Sequence, residues 1–375
     1  MEKLYLDSAA TTAVSEATAK AVKEVLSENY GNPSSNHSLG EMALKAMNSA
    51  RIKLAKEINA KPEEIIFTSG ATEANNLAIQ GLAKEHPDRK LVIISAIEHP
   101  SIVEVAAYLK SKGLQVVKIP VDKSGIVKLS VLENVIKNNI LDVLVVSIMH
   151  VNNIIGSVQP VAKIGEICRK YGVLFHTDAV QSFSKLRIDV LKDKVDLLSA
   201  SGHKIGAPKG IGLLYVRNGV RIQPLIYGGG QERGLRSGTE NVSGIVGFAK
   251  ALELQNKVNK AKIKKSRDKF IVKLEKLGGK LNGSRKDRIY SNINVSFPVD
   301  ADTLVTFLSE RGISISAGSA CESKKQKEDS VLRALGLPLK EQKGSIRITL
   351  DRELKDKEIG FIVSEIGKAL KILKR

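Results

Sequence analysis

The chain has 375 residues, of which 42% are hydrophobic and 26% are charged, a composition that excludes a disordered or fibrous protein. Its length favours one large domain with a smaller second domain. Lysine and arginine outnumber aspartate and glutamate by 59 to 40, and the formal charge is +19. The basic residues are scattered and only 4% of residues are aromatic, so a lysine-rich surface is favoured over nucleic-acid binding.

The amino-terminal sequence, MEKLYLDSAATT, has no basic segment followed by an apolar core. No apolar run elsewhere reaches the length that a membrane span requires. We therefore expect a cytoplasmic protein with no membrane partner. The two cysteines, Cys168 and Cys321, are too few for a disulfide framework or a four-thiolate metal site.

The middle of the chain alternates between short apolar runs and amphipathic segments. Strands are predicted at residues 64–70, 90–99, 115–121, 141–150, 172–179, 195–202 and 210–217. Helical patterns such as ATEANNLAIQGLAKEH and PSIVEVAAYLKSKG separate several of these runs. This alternation predicts a mostly parallel sheet that is covered on both faces.

Two segments of the chain have the apolar spacing of amphipathic helices. Residues 160–172 place Cys168 on the apolar face of a helix, which predicts a buried core thiol. Residues 257–279 predict a long amphipathic helix with a basic, solvated face. The strands and helices that follow it predict a smaller α+β unit. Cys321, by contrast, lies in SAGSACESKKQKED, where almost nothing apolar is available to pack against a thiol.

Polar residues follow several predicted strands, where an open α/β sheet places its ligand. In FTSGATEANN, residues 67–76, a strand turns tightly into a helix whose free amide groups suit a phosphate, and Thr72 adds a hydroxyl. The alternative is an ordinary helix cap formed by Thr68, Ser69 or Thr72. The motif is not a Walker loop, because GxxxxGK[ST] is absent from the chain.

Two further strand ends carry charged residues. In FHTDAVQS, Asp178 needs a partner, which is either a metal shared with His176 or, as we favour, a protonated ring nitrogen of a cofactor. In SASGHKIGAPKGIG, Lys204 is either a surface lysine or a desolvated cleft lysine that can act as an amine nucleophile. A phosphate site, an aspartate for a pyridinium nitrogen and a Schiff-base lysine are together typical of pyridoxal phosphate chemistry.

The sequence resembles the class V aminotransferase family and, within it, the cysteine desulfurases of the NifS/IscS type. The motifs that carry the resemblance run over nearly the whole chain: YLDSAATT, YGNPSSNHSLG, FTSGATEANN, EHPS, HVNNIIG, FHTDAVQS, SGHKIGAPKGIG, GGGQERGLRSGTENV, SAGSAC, and VLRALGL followed by SIRI. The resemblance implies a homodimeric α/β enzyme of the fold-type I class that uses pyridoxal 5'-phosphate. It implies a large cofactor-binding domain over 15–255 with a mostly parallel seven-stranded sheet. A small α+β domain over 1–14 and 256–375 would carry the Cys321 loop.

The resemblance also implies roles for individual residues. Lys204 would hold the cofactor as a Schiff base and later move the Cα proton, while His99 would stack on the ring and assist proton transfer. Asp178 would form a salt bridge with the pyridine nitrogen, and Gln181 would bond to the phenolic oxygen. The other cofactor contacts would be Ala71, Thr72, Ser201 and His203 at the phosphate, Asn153 beside cofactor and substrate, and Thr239 from the other subunit. Arg347, assisted by Asn32 and Asn153, would bind the substrate carboxylate.

Cys321 would be the nucleophile of such an enzyme. The implied reaction removes sulfur from L-cysteine and leaves L-alanine and a persulfide on Cys321, which an iron–sulfur scaffold or another acceptor protein then receives. No metal site of the chain's own is expected, although Cys321 could share an iron–sulfur cluster with a partner. Ile154 stands where the family usually has glutamate, a change expected to affect the local pocket or partner contacts.

Alternatives remain at the level of the reaction. Selenocysteine lyase and cysteine-sulfinate desulfinase belong to the same family, and Cys321 favours the desulfurase because the other two reactions can proceed without that thiol. The non-enzymatic alternative is a basic scaffold that has lost catalysis. The joint presence of Lys204, Asp178 and Cys321 disfavours it.

Overall fold

The computed structural model describes residues 3–318 and 330–373, so Cys321 lies outside the described residues. Its strands are β1 Leu4–Tyr5, β2 Ile65–Thr68, β3 Leu91–Ser95, β4 Gln115–Ile119, β5 Val143–Ser147, β6 Phe175–Asp178, β7 Leu197–Ser201, β8 Gly212–Val216, β9 Lys280–Leu281, β10 Asn292–Ser296, β11 Ile313–Ser314, β12 Ser316–Ala317 and β13 Ser345–Thr349. Its α-helices are α1 Glu16–Ser27, α2 Ser38–Glu57, α3 Ala71–Glu85, α4 Pro100–Ser111, α5 Leu129–Asn138, α6 Val161–Lys170, α7 Val242–Gln255, α8 Lys260–Lys276, α9 Ala301–Ser309, α10 Ser330–Ala334, α11 Leu339–Lys343 and α12 Asp356–Leu373.

The central sheet has seven strands in the order β2-β8-β7-β6-β5-β3-β4. Each predicted apolar run of the middle region contains one of them, which confirms the predicted sheet. Strand β8 is antiparallel to both of its neighbours, whereas the other pairs are parallel. The carboxyl ends of β2, β3, β5, β6 and β7 therefore meet at one edge, where the loops that follow them come together.

Both faces of this sheet are buried, because successive side chains of a strand point to opposite sides. In β2, Ile65 and Phe67 join a core that includes residues of α2, α5, α6 and α7, while Ile66 joins a second core with residues of α3 and α4. Cys168 of α6 is 1% exposed in the first core, which confirms the prediction of a buried thiol. Burial raises the pKa of that thiol well above its ordinary range, so it stays protonated.

A second sheet, β12-β13-β10-β9, lies in the carboxyl-terminal part of the chain and is antiparallel. Residues of α8, α9 and α12 share its core, and Leu4 and Leu6 of the amino-terminal segment pack there too. Helix α8 buries Ile263, Phe270 and Leu274, as its amphipathic pattern predicts. The domain boundaries after residues 14 and 255 stay predictions. Within the described ranges, no helix is both long and apolar enough to span a bilayer.

Candidate active site

A cavity of about 390 Å³ opens at the edge of the central sheet where the parallel strands end. Most of the residues that the sequence places at a cofactor or substrate line it: Ala71, Thr72, His99, Asn153, Asp178, Gln181, Ser201, His203, Lys204 and Arg347. Asn32 and Thr239 do not line this cavity; both are exposed. The predicted nucleophile, Cys321, lies outside the described residues.

The amino end of α3 forms one wall of the cavity. The helix begins at Ala71 after Gly70, and no side chain caps it. Thr68 donates its hydroxyl to the carbonyl of Gly70 at 3.0 Å instead. The helix-cap interpretation is therefore wrong, and the first-turn amides of a helix without a cap are free to bind an anion.

Asp178 ends β6 and is 4% exposed. Its Oδ2 accepts a hydrogen bond from Asn75 Nδ2 at 2.9 Å, and its Oδ1 accepts one from the amide of Val180 at 3.0 Å. No lysine, arginine or histidine among the described residues forms an ion pair with it. A buried carboxylate without a cation retains the capacity to pair with a positively charged ligand group.

The alternative metal site with His176 finds no support in the geometry. The Nδ1 atom of His176 is hydrogen-bonded to Ser147 Oγ at 2.8 Å, and its Nε2 atom to Ser199 Oγ at 3.0 Å. Both ring nitrogens are therefore engaged, and burial lowers the pKa of the ring to about 4. In residues 3–318 and 330–373, no group of three or more histidine, cysteine, aspartate or glutamate side chains could hold a metal ion.

Lys204 lies in a short 3-10 turn, Gly202–Lys204, directly after β7. Its Nζ donates to the carbonyl oxygens of Ala9 and Ala10 at 2.6 and 2.7 Å. Gln181 Nε2 also donates to the Ala9 carbonyl, at 3.0 Å. The amino-terminal motif YLDSAATT thus forms a wall of the cavity through its backbone.

His203, beside Lys204, is tied to the same segment. Its Nδ1 is hydrogen-bonded to Thr11 Oγ1 at 3.1 Å, and Thr12 donates to its carbonyl. Burial, reinforced by the charge of Lys204, lowers the pKa of His203 to about 4. The ring is therefore neutral at pH 7 and acts as a hydrogen-bonding group.

His99 has two roles in the structure. It caps α4, because its Nδ1 accepts a hydrogen bond from the amide of Ser101 at 3.1 Å, and its ring also lines the cavity. The same side chain thus caps a helix and lines the cavity. Burial lowers the pKa of His99, and Lys204 lowers it further against the opposing effect of Asp178.

Arg347 lies in the middle of β13 and is 1% exposed. Its Nη2 donates to Asp7 Oδ1 at 2.8 Å and its Nη1 to the Asn153 carbonyl at 3.2 Å. Its Nε is buried and has no partner within the part of the chain that the structure describes. A buried donor without a partner is costly, so the guanidinium is poised to bind an acceptor from a ligand.

Two of these contacts were not predicted. Asn75 orients Asp178 and also donates to Ser101 Oγ at 2.8 Å. It lies one helical turn after Ala71 and so faces the same side of α3, which is the only signal that the sequence offers for it. Asp7 is part of YLDSAATT, but nothing in the sequence pairs it with Arg347.

Ile154 stands where the family usually has glutamate, a change expected to affect the local pocket or partner contacts. Its side chain is 5% exposed and belongs to the main hydrophobic core. Its amide is bound by Asn152 Oδ1 at 2.9 Å, and it does not line the cavity. Ile154 therefore contributes to the packing behind the site, and its effect on the local pocket or on partner contacts stays a prediction.

Comparison with known proteins places this geometry in a family. The model of the family described as aminotransferase class-V matches residues 4–359. The chain belongs to the class-V aminotransferase family. The curated cysteine desulfurase IscS of Methanosarcina thermophila is 41% identical over 99% of this chain and 93% of its own length. The resemblance to cysteine desulfurases of the NifS/IscS type is thereby confirmed.

Solved structures agree with this placement. A structure described as a NifS-like protein superimposes with a TM-score of 0.93 and 37% identity, covering 99% of this chain and all (100%) of its own. The structure of SspA in complex with cysteine has a TM-score of 0.84 and 38% identity, and the match covers 94% of this chain and 100% of that one. The predicted fold, an α/β enzyme with a mostly parallel seven-stranded sheet, is confirmed.

Proposed function

We propose that the protein is a pyridoxal 5'-phosphate-dependent cysteine desulfurase that transfers sulfur from L-cysteine to Cys321. One observation carries the proposal: Lys204, Asp178, Arg347 and the uncapped amino end of α3 line the same cavity. The curated relatives named as cysteine desulfurases and the SspA complex with cysteine support the choice of substrate.

The residues present fit this cofactor. The amide groups at the start of α3, with Thr72, Ser201 and His203, would hold its phosphate. Asp178 would accept the proton of its ring nitrogen, because the carboxylate is buried, lacks a cation among the described residues and is oriented by Asn75. When bound, the cofactor supplies a site for the substrate amine and accepts the charge that develops when the Cα proton leaves.

Residues of the chain supply binding and proton transfer. Arg347 would bind the substrate carboxylate through its unpartnered Nε. The backbone carbonyl of Asn153 accepts a hydrogen bond from the same guanidinium, which places Asn153 beside the substrate site. Lys204 Nζ would attach the cofactor between turnovers and move the proton at Cα. His99, whose Nδ1 is engaged by Ser101, would exchange a proton through its other ring nitrogen.

The sulfur-transfer step balances without an external oxidant. The thiolate of Cys321 attacks the substrate sulfur, the carbon–sulfur bond breaks, and protonation of the remaining carbon fragment gives L-alanine. One L-cysteine and one enzyme thiol thus become one L-alanine and one enzyme persulfide. An acceptor protein, such as an iron–sulfur scaffold, would then take the terminal sulfur.

We extend the proposal to the assembly. Thr239 is exposed and lies outside the cavity of its own chain, which suits a contact with the cofactor phosphate of a second subunit in a homodimer. Asn32 is likewise exposed and would assist Arg347 only after a rearrangement or across such an interface. The enzyme would act in the cytoplasm.

The two cysteines of the chain allow a matched test of the reaction. The holoenzyme is incubated anaerobically with L-cysteine, and the peptide that contains Cys321 is weighed by mass spectrometry. We expect one added sulfur in the wild-type protein and in Cys168→Ser, and none in Cys321→Ser or Lys204→Ala. Alanine release without sulfur on Cys321 would refute the desulfurase mechanism. Alanine release by the wild-type protein from selenocysteine or cysteine sulfinate, but not from cysteine, would support the alternative lyase or desulfinase.

A further inference from the structure

The amino-terminal motif YLDSAATT contacts the substrate anchor as well as Lys204. Asp7 divides its carboxylate between two partners: Oδ1 accepts from Arg347 Nη2 and Oδ2 accepts from Ser316 Oγ, both at 2.8 Å. The Asp7 side chain is 16% exposed and that of Arg347 is 1% exposed, so the ion pair is largely buried.

The backbone fixes Asp7 in this position. Asp7 forms a parallel bridge with Thr349, two residues beyond Arg347 on β13, and the amide of Ala9 donates to Thr349 Oγ1 at 2.9 Å. The carboxylate is therefore held beside the guanidinium by two adjacent segments of main chain. Such a fixed arrangement orients a guanidinium before a ligand arrives.

The charge of Asp7 matters as much as its position. A buried arginine without a counter-ion would strongly favour any incoming carboxylate, because that carboxylate would relieve an uncompensated charge. Asp7 already compensates the charge of Arg347. An incoming carboxylate that accepts a hydrogen bond from the unpartnered Nε of Arg347 must then share the guanidinium with the Asp7 carboxylate. The two negative charges would repel each other.

We infer that Asp7 is a positioning residue that orients Arg347 and, as its resident counter-ion, limits the affinity of the site for the carboxylates of substrate and product. The inference rests on the proposed function, since it takes Arg347 as the carboxylate anchor. L-alanine carries the same carboxylate as L-cysteine, so an anchor at full charge would also retain the product. Asp7 keeps the anchor oriented without letting it bind too tightly.

The substitution Asp7→Asn separates charge from geometry. Asparagine keeps the volume and an oxygen acceptor for Arg347 Nη2 but removes the negative charge. A merely structural role predicts weaker or unchanged ligand binding, because at most a hydrogen bond is disturbed. The counter-ion role predicts tighter binding of carboxylates, on the order of tenfold, from the repulsion of like charges at a partly buried site.

Titration calorimetry of the holoenzyme with L-alanine and with L-alaninamide, which lacks the carboxylate, tests the inference. We expect Asp7→Asn to bind L-alanine about tenfold more tightly, while its affinity for L-alaninamide changes little. Steady-state assays should show a lower KM for L-cysteine and stronger inhibition by L-alanine. An equal or weaker affinity for L-alanine, or an equal gain for both ligands, would overturn the inference.

A second pair of variants keeps the test decisive if the single variant does not fold. Arg347→Gln leaves the charge of Asp7 facing the substrate, and the double variant Asp7→Asn with Arg347→Gln removes both charges. The double variant should bind L-alanine more tightly than Arg347→Gln does; equal affinities would overturn the inference. A wild-type holoenzyme that bound neither ligand would refute the proposed function itself, together with the role of Arg347.

Discussion

Glu98 is a buried carboxyl group whose ionisation should make the stability of the protein depend on pH. It precedes His99 and is 3% exposed. Its Oε1 accepts hydrogen bonds from Ser95 Oγ and from the amide of Met149, whereas its Oε2 is buried without a partner among the described residues. Burial, aided by the nearby charge of Asp178, raises the pKa of Glu98 from 4.5 to about 8.

The sign of the effect follows from this direction. Because the folded-state pKa exceeds the unfolded-state value, Glu98 contributes stability that is fully present below about pH 4.5 and is lost as the pH rises through about 8. The difference of about 3.5 units corresponds to about 5 kcal/mol as an upper limit, at about 1.4 kcal/mol per unit. Glu98→Gln stays neutral and does not undergo this loss.

The assay is urea unfolding followed by circular dichroism at several pH values from about 5 to 9. We expect the free energy of unfolding of Glu98→Gln, relative to wild type, to increase steadily between about pH 5 and 8 and then to level off. Glu104→Gln, an exposed position on α4, is the control and should show no such trend. A difference between Glu98→Gln and wild type that did not change with pH would contradict a raised pKa of Glu98 in the folded protein.

Variants at three further sites test other buried ionisable groups. Burial, and then repulsion from Lys204, lowers the pKa of Lys185 to about 7, so the folded state disfavours its protonated form. Lys185→Met should therefore raise the free energy of unfolding by a few kcal/mol at pH 6 and by much less near pH 10. An equal gain in unfolding free energy at both pH values would contradict the lowered pKa of Lys185. Glu232 forms a buried ion pair with Arg51, so Glu232→Gln should cost about 3–5 kcal/mol in thermal unfolding. The double variant with Arg51→Met should recover much of that loss, and a double variant as unstable as the single one would count against the argument. Burial lowers the pKa of His150 to about 4, so wild-type stability should fall as the pH drops from 6.5 to about 4. His150→Asn should flatten this decline in urea titrations. An unchanged slope would exclude His150 as the cause of the decline.

The central sheet was predictable because most of its strands lie in nearly continuous apolar runs, which few structures other than a doubly covered strand can accommodate. The reversed direction of β8 was not predictable, since an apolar run has the same pattern in either direction. Most cavity residues were predictable from motifs at strand ends. The roles of Asn75 and Asp7 were not, because their partners, Asp178 and Arg347, lie 103 and 340 residues away in the chain.

Another part of the site escapes sequence analysis for a different reason. The oxygens that accept hydrogen bonds from Lys204 and Gln181 are backbone carbonyls of Ala9 and Ala10, and any residue at those positions would present the same group. Residue type therefore carries no signal for this wall of the cavity. This wall exists because the amino-terminal segment runs beside β13, where Asp7 pairs with Thr349.

The buried ionisable groups around the cavity share an electrostatic consequence. Burial lowers the pKa of His99 and brings that of His203 to about 4, so both rings are neutral near Lys204 at pH 7. Burial also raises the pKa of Glu98 to about 8, so its carboxyl group is mostly neutral near Asp178 at pH 7. The charged side chains that line the cavity are then Lys204, Asp178, Arg347, Glu73 and Lys209. Lys204, Asp178 and Arg347 would each meet a charged part of cofactor or substrate, so the buried ionisable residues form a site whose charges match its ligands.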